Sequence, residues 1–178
     1  MHNDIERILF NENELNKLCK RLGEQISKDY EGKELLLVGV LKGCNPFMAD
    51  LVKYITIPCQ LDYMICSSYC GTQSTGFVEL KKDVSLSVEN KHVIIIEDIV
   101  DTGRTLDMIC KLFKDRKCAS VEVCTLLDKK EGRVVNFQPK YIGNDVENLF
   151  VVGYGLDYDE YYRNLPYIGI LKESVYKK

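Results

Sequence analysis

Val93-Ile94-Ile95-Ile96-Glu97-Asp98-Ile99-Val100-Asp101-Thr102-Gly103-Arg104-Thr105 passes from a β-branched run into two carboxylates, a short apolar step and a polar turn. β-branched side chains fit a pleated surface buried on both faces, so residues 92–96 carry the strongest strand signal in the chain. Residues 105–117 then show helical spacing, with Leu106, Ile109, Cys110, Leu112 and Phe113 on one side. A buried strand that passes through a glycine turn into a helix is the repeating unit of a parallel α/β sheet.

The flanking sequence extends that unit. Residues 35–41 form a continuous Leu/Val run between Gly32 and Gly43, and the spacing predicts a second buried strand. Further strands are predicted over 57–66 and 121–127, with short ones at 141–142, 150–154 and 167–171. Leu15, Leu18, Cys19, Leu22 and Ile26 mark an amphipathic helix over 12–30, capped by Asn11. A second helix starts at Pro46, which suits a first helical turn. Residues 77–80 and 84–88 are predicted to pair as a hairpin around Lys81-Lys82-Asp83, and 157–163 to form a turn of helix. The fold expected is α/β, with a central, mostly parallel sheet flanked by helices in one domain spanning 1–178. The polar, glycine-punctuated residues 67–76 are predicted to be a flexible loop. In such sheets ligands bind beyond the carboxyl ends of the strands, which directs attention to the loops there.

Composition narrows the function classes. The formal net charge is −3, which gives no support for general binding to nucleic acid or to an anionic membrane. No window reaches the roughly 20 apolar residues of a membrane helix, and the polar start Met1-His2-Asn3-Asp4 is unlike a secretion signal, so the cytosol is the expected location. The eight cysteines include no C-x-x-C pair and accompany only two histidines, which argues against zinc and for small buried apolar side chains in a reducing compartment.

The loop at 97–105 carries the chemistry. The first amides of a helix point outward unpaired at the positive end of its dipole, Gly103 lets the backbone curl around a phosphate, and Thr102 and Thr105 add hydroxyls. Carboxylates beside a phosphate site make sense once a sugar or a metal is included. Glu97 and Asp98 accept hydrogen bonds from ribose hydroxyls and hold Mg²⁺. The combination points to a phosphorylated sugar with Mg²⁺. Neither G-x-x-x-x-G-K-[ST] nor G-x-G-x-x-G is present.

The stretch 97–105 resembles the signature of the type I phosphoribosyltransferases, which use phosphoribosyl pyrophosphate (PRPP). Leu41-Lys42-Gly43-Cys44, Ser68-Tyr69, Asp128-Lys129 and the residues from Phe150 to Tyr158 are similar, in order and spacing, to the hypoxanthine-guanine phosphoribosyltransferases. The resemblance implies a small hood and a mobile loop, over about 67–80, attached to the sheet. It implies that Asp101, Thr102, Gly103, Arg104 and Thr105 hold the 5′-phosphate, that Glu97 and Asp98 face ribose and metal, and that Asp101 takes the proton from purine N7. It implies a pyrophosphate site made by Lys42, Gly43, Ser68, Tyr69 and Arg163, with a non-proline cis peptide before Lys42. Cys44 stands where the family often has glycine. Lys129 matches the donor to the purine 6-oxo group, Phe150 the ring that stacks on the base and Val151 a backbone contact. Asp157 matches an acid near the purine 2-position and a second metal. The activity implied is purine salvage: transfer of ribose 5-phosphate to N9 of hypoxanthine or guanine, by a homodimer or homotetramer. A phosphoribosyltransferase for another base such as xanthine, and a nucleotide-sensing RNA-binding regulator on the same fold, are the alternatives.

Overall fold

The computed structural model describes residues 1–68 and 78–177. Tyr69 of the expected closing loop lies outside the described residues, as does the side chain of Ser68. The strands are β1 (Ile5–Phe10), β2 (Leu35–Val40), β3 (Cys59–Ser68), β4 (Val78–Lys82), β5 (His92–Val100), β6 (Ser120–Asp128), β7 (Tyr141–Asp145), β8 (Val151–Val152) and β9 (Ile168–Leu171). The helices are α1 (Glu12–Asp29), α2 (Asn45–Leu51), α3 (Arg104–Asp115) and a final turn, α4 (Glu173–Tyr176).

The main sheet has the order β4-β3-β2-β5-β6-β7. All its pairings are parallel except β3 with β4 at one edge. All six residues of β2 are buried, because helices cover both faces. Side chains alternate between those faces with the two-residue period of a strand. Leu35, Leu37, Ile94, Ile96, Cys124 and Leu126 pack with Leu15, Leu22 and Ile26 of α1 and Phe47, Met48 and Leu51 of α2. Leu36, Val38, Val93, Ile95, Val121 and Val123 pack with Leu106, Ile109 and Phe113 of α3. The predicted cap is present as a reciprocal pair: Asn11 Oδ1 accepts from the Glu14 amide, and Glu14 Oε2 from the Asn11 amide.

β1, β9 and β8 form a separate antiparallel sheet, the hood. Val151, Ile168 and Ile170 from this sheet reach into the core shared with α1 and α2. Val152, Leu165 and Leu171 form a small core of their own.

Three local expectations are corrected. Residues 84–88 form no strand, and β4 pairs with β3 instead. The amides of Ser85 and Leu86 both donate to Asp62 Oδ2, so a side-chain carboxylate takes the place of a ladder partner. Residues 157–163 are no helix. The Glu160 amide donates to the Asp157 side chain, Tyr158 and Tyr161 bridge each other, and Asp159, Glu160 and Tyr162 have left-handed φ of 52°, 66° and 73°. Finally, β5 does not stop at Ile96. It stays paired with β6 through Val100, so Glu97 and Asp98 stand on a strand rather than after it.

The strand order locates the ligand crevice. β2 and β5 are neighbours, but β2 continues through α2 to β3 on one side and β5 through α3 to β6 on the other. The connections diverge between the two strands, and the gap above their carboxyl ends is where open α/β sheets bind ligands.

Candidate active site

Two loops flank that gap. After β2 the peptide between Leu41 and Lys42 is cis, as the resemblance implied, and Gly43 follows. A Cβ on Gly43 would overlap the Asp98 carboxylate, so only glycine lets the loop lie this close to the acids. Cys44 is fully buried, at the start of α2, with its sulfur facing Gly39. A thiol therefore fits here without disturbing the loop's contact with Asp98.

After β5 the chain turns through 101–103 into α3. Gly103 adopts φ of 78°, a left-handed conformation that favours glycine. The turn delivers the open N-terminus of a 12-residue helix to the gap. Asp101 and Thr102 are exposed there and Thr105 is half-buried. Among the described residues, no hydrogen bond or ion pair engages the Asp101 carboxylate, and its Oδ1 rests against the Cα of Gly132.

These pieces enclose a cavity of about 320 Å³. It is lined by Lys42 and Gly43, by Glu97 and Asp98, by Asp101, Thr102, Gly103 and Thr105, and by Asp157 and Arg163 from the hood. The sequence reading thus singled out residues from three distant segments that the fold gathers around one space. Arg104 is exposed and does not line it.

The electrostatics are uneven. Glu97 and Asp98 open onto the cavity yet are densely surrounded by protein. Burial, reinforced by the Asp98 charge, pushes the Glu97 carboxyl well above the usual carboxylate range. Burial raises Asp98 to about 6 against the bond its carboxylate accepts from the Ile99 amide. Opposite them Arg163 donates through Nη1 to the Gly155 carbonyl at 2.7 Å and pairs through Nη2 with Asp157 at 2.9 Å. Among the described residues, two buried polar atoms, Glu97 Oε2 and Arg163 Nε, have no hydrogen-bond partner. An orphaned carboxylate oxygen and an orphaned guanidinium nitrogen lining the same cavity suit a ligand that brings both a cation and an anion. No cluster of three or more metal-ligating side chains occurs among the described residues. Mg²⁺ is commonly bound through one or two carboxylates together with substrate phosphates, and Glu97 and Asp98 are two such carboxylates on the cavity lining.

Lys129, Phe150 and Val151 lie outside the cavity lining. The Lys129 amide donates to the Val100 carbonyl at 2.8 Å, which fixes this lysine next to Asp101. Its neighbour Lys130 is tied to Asp145 at 2.6 Å, so of the two lysines only Lys129 lacks a carboxylate partner among the described residues. Phe150 stacks on Tyr176 of α4 with ring centres 4.6 Å apart, while Tyr158 meets it edge-on at 5.6 Å. Val151 is buried in β8.

One support escaped the sequence reading. Arg133 donates from Nε to the Asp101 carbonyl at 3.0 Å and from Nη1 to the Phe137 carbonyl at 2.5 Å, and it pairs through Nη2 with buried Asp128. It braces the phosphate turn from behind. Its one sequence signal was position, five residues after Asp128.

Residues 7–159 match the model of the phosphoribosyl transferase domain. The chain is 52% identical over 179 residues to a hypoxanthine-guanine phosphoribosyltransferase of Streptococcus thermophilus, covering 100% of this chain and 99% of that one. It is 51% identical over 177 residues to the Streptococcus pneumoniae enzyme of the same name, covering 99% and 98%. A crystal structure of a hypoxanthine phosphoribosyltransferase from Staphylococcus aureus superposes with a TM-score of 0.97 at 51% identity, covering 100% of this chain and 97% of that one. With that match over its whole length, the chain belongs to the hypoxanthine-guanine phosphoribosyltransferase family.

Proposed function

We propose that the protein transfers the 5-phosphoribosyl group of PRPP to N9 of hypoxanthine or guanine, giving IMP or GMP and pyrophosphate. The observation that carries this reading is the single cavity in which a helix N-terminus, two strand carboxylates and the cations Lys42 and Arg163 converge. The amides and hydroxyls of Thr102, Gly103, Arg104 and Thr105 receive the 5′-phosphate. Glu97 and Asp98 accept from the ribose hydroxyls. Lys42, the 42–43 backbone and Arg163 receive pyrophosphate, to which the resemblance adds Ser68 and Tyr69. Glu97 and Asp98, with Asp157 for a second ion, would hold Mg²⁺, whose charge offsets that of pyrophosphate.

As the C1–oxygen bond to pyrophosphate breaks, C1 gains oxocarbenium character and the purine N9 lone pair closes the new bond. The proton on N7 passes to Asp101. Lys129 donates to the 6-oxo group and Phe150 stacks on the ring, with Val151 and Asp157 bounding the purine's far edge. Adenine is disfavoured because its 6-amino group is itself a donor. The same reading places the whole chain in one phosphoribosyltransferase domain and makes the protein a homodimer or homotetramer of the cytosol. The seven described cysteines, all free thiols, agree with a reducing compartment. No helix among the described residues is long and apolar enough to cross a membrane.

Pyrophosphate release with PRPP and hypoxanthine, guanine, xanthine, adenine or uracil in turn tests the assignment, and turnover with none of them would end it. Lys129→Met should lower kcat/KM for hypoxanthine and guanine about 10–100-fold, the loss of one charged hydrogen bond, while the KM for PRPP moves little. Steady-state kinetics with each substrate varied separates the two effects. A change confined to PRPP would remove Lys129 from the purine site.

A further inference from the structure

Glu160 belongs to the hood segment between Asp157 and Arg163, and its carboxylate is divided between two cations. Oε2 accepts from Lys42 Nζ at 2.7 Å, and Oε1 from Arg163 Nη2 at 3.2 Å. The lysine comes from the loop after β2 and the arginine from the hood, so one side chain spans the crevice between them. These are the two cations assigned above to pyrophosphate, and the inference rests on that assignment.

We infer that Glu160 is an internal competitor for the pyrophosphate subsite, a carboxylate that neutralises Lys42 and Arg163 in the substrate-free protein and is displaced by the diphosphate of PRPP or by free pyrophosphate.

Three observations support displacement over a fixed structural role. The Lys42 and Glu160 side chains are 66% and 61% exposed, so their pair is hydrated and weakly held. A diphosphate presents several acceptor oxygens and more negative charge, and charge-assisted contacts to it are the stronger ones. Arg163 keeps its bonds to the Gly155 carbonyl and to Asp157 when Glu160 leaves, so the guanidinium stays aimed at the cavity. Lys42, in contrast, has no other carboxylate partner among the described residues. Its ammonium therefore passes from one anion to another. The competitor raises the threshold for occupancy, because an entering anion must displace the carboxylate from both cations.

Glu160→Gln keeps the shape and removes the charge. Calorimetric titration of inorganic pyrophosphate in the presence of Mg²⁺ should show about threefold to tenfold tighter binding to the variant than to the wild type. The KM for PRPP should fall by a similar factor while the KM for hypoxanthine stays constant. Glu24→Gln, on the exposed face of α1, should change neither. Unchanged or weaker pyrophosphate binding by the Glu160 variant would overturn the inference, because it would mean that the carboxylate is idle or orients the two cations. Absence of turnover by the wild type with any base would instead defeat the assigned reaction, and the titration would still compare the two proteins directly.

Discussion

Asp101→Asn is expected to lower kcat about 10²–10³-fold, the range usual for loss of a positioned proton acceptor. The substitution changes neither size nor the backbone that holds the turn. Arg133 grips the Asp101 carbonyl, and the Val134 amide donates to the Thr102 carbonyl. Both contacts belong to the main chain and survive in the variant. Gly132 leaves room for an amide where it leaves room for a carboxylate. The phosphate turn should therefore keep its grip on PRPP, and the KM for PRPP should move less than threefold on this scale. Undiminished turnover would show that the purine proton leaves by another route.

The second expectation concerns stability and activity together. Asp98→Asn should abolish most turnover, about 10²-fold or more, and yet make the free protein harder to unfold. The reason lies in the cost of holding a charge on a crowded strand. Burial raises the Asp98 carboxyl to about 6 from an ordinary value of 3.8. A carboxyl whose pKa is higher in the folded than in the unfolded state favours folding only while it is protonated. Its contribution is therefore present below pH 3.8 and lost as the pH rises through about 6. At about 1.4 kcal/mol per unit, the loss is about 1–3 kcal/mol at neutral pH. Asparagine carries no such charge. Denaturant unfolding without Mg²⁺ or substrate should show the variant more stable by that amount at pH 8, with the gain vanishing near pH 4. A variant less stable than the wild type at pH 8 would show that the charged form is not strained in the free protein.

How far these results could be read from the sequence depended on what each signal measures. Continuous apolar runs report burial on both faces of a sheet, and they located β2, β5 and β6 to within a few residues. β1 escaped because Glu6, Arg7 and Ile8 are all exposed in succession, which erases the two-residue alternation. The end of β5 was misplaced for a related reason. Two adjacent carboxylates read as a loop until the pairing with β6 is known. The segment 157–163 was read as helical although its backbone follows side-chain hydrogen bonds and left-handed residues, which carry no periodic signal. Of the cavity lining, Glu97, Asp98, Thr102, Gly103 and Thr105 were legible because phosphate chemistry demands a local motif, whereas Lys42, Gly43, Asp157 and Arg163 were reached through the resemblance. Arg133 was not, since bracing two carbonyls and a buried Asp128 is a property of the fold. Nor could composition show that Glu160 reaches both Lys42 and Arg163.

The pairing of β1 with β9 also sets an order of assembly on the ribosome. β1 is made some 160 residues before its partner, at Ile168–Leu171. At translation speeds of about 5–20 residues per second, β1 waits about ten seconds or more for that partner. The strands of the six-stranded sheet end at Asp145 and are all made before then. A nascent chain at that stage already carries Glu97, Asp98 and the phosphate turn, but not the segment that brings Asp157, Glu160 and Arg163 over them. The hood therefore closes over the phosphate turn only after every strand of the six-stranded sheet has been made.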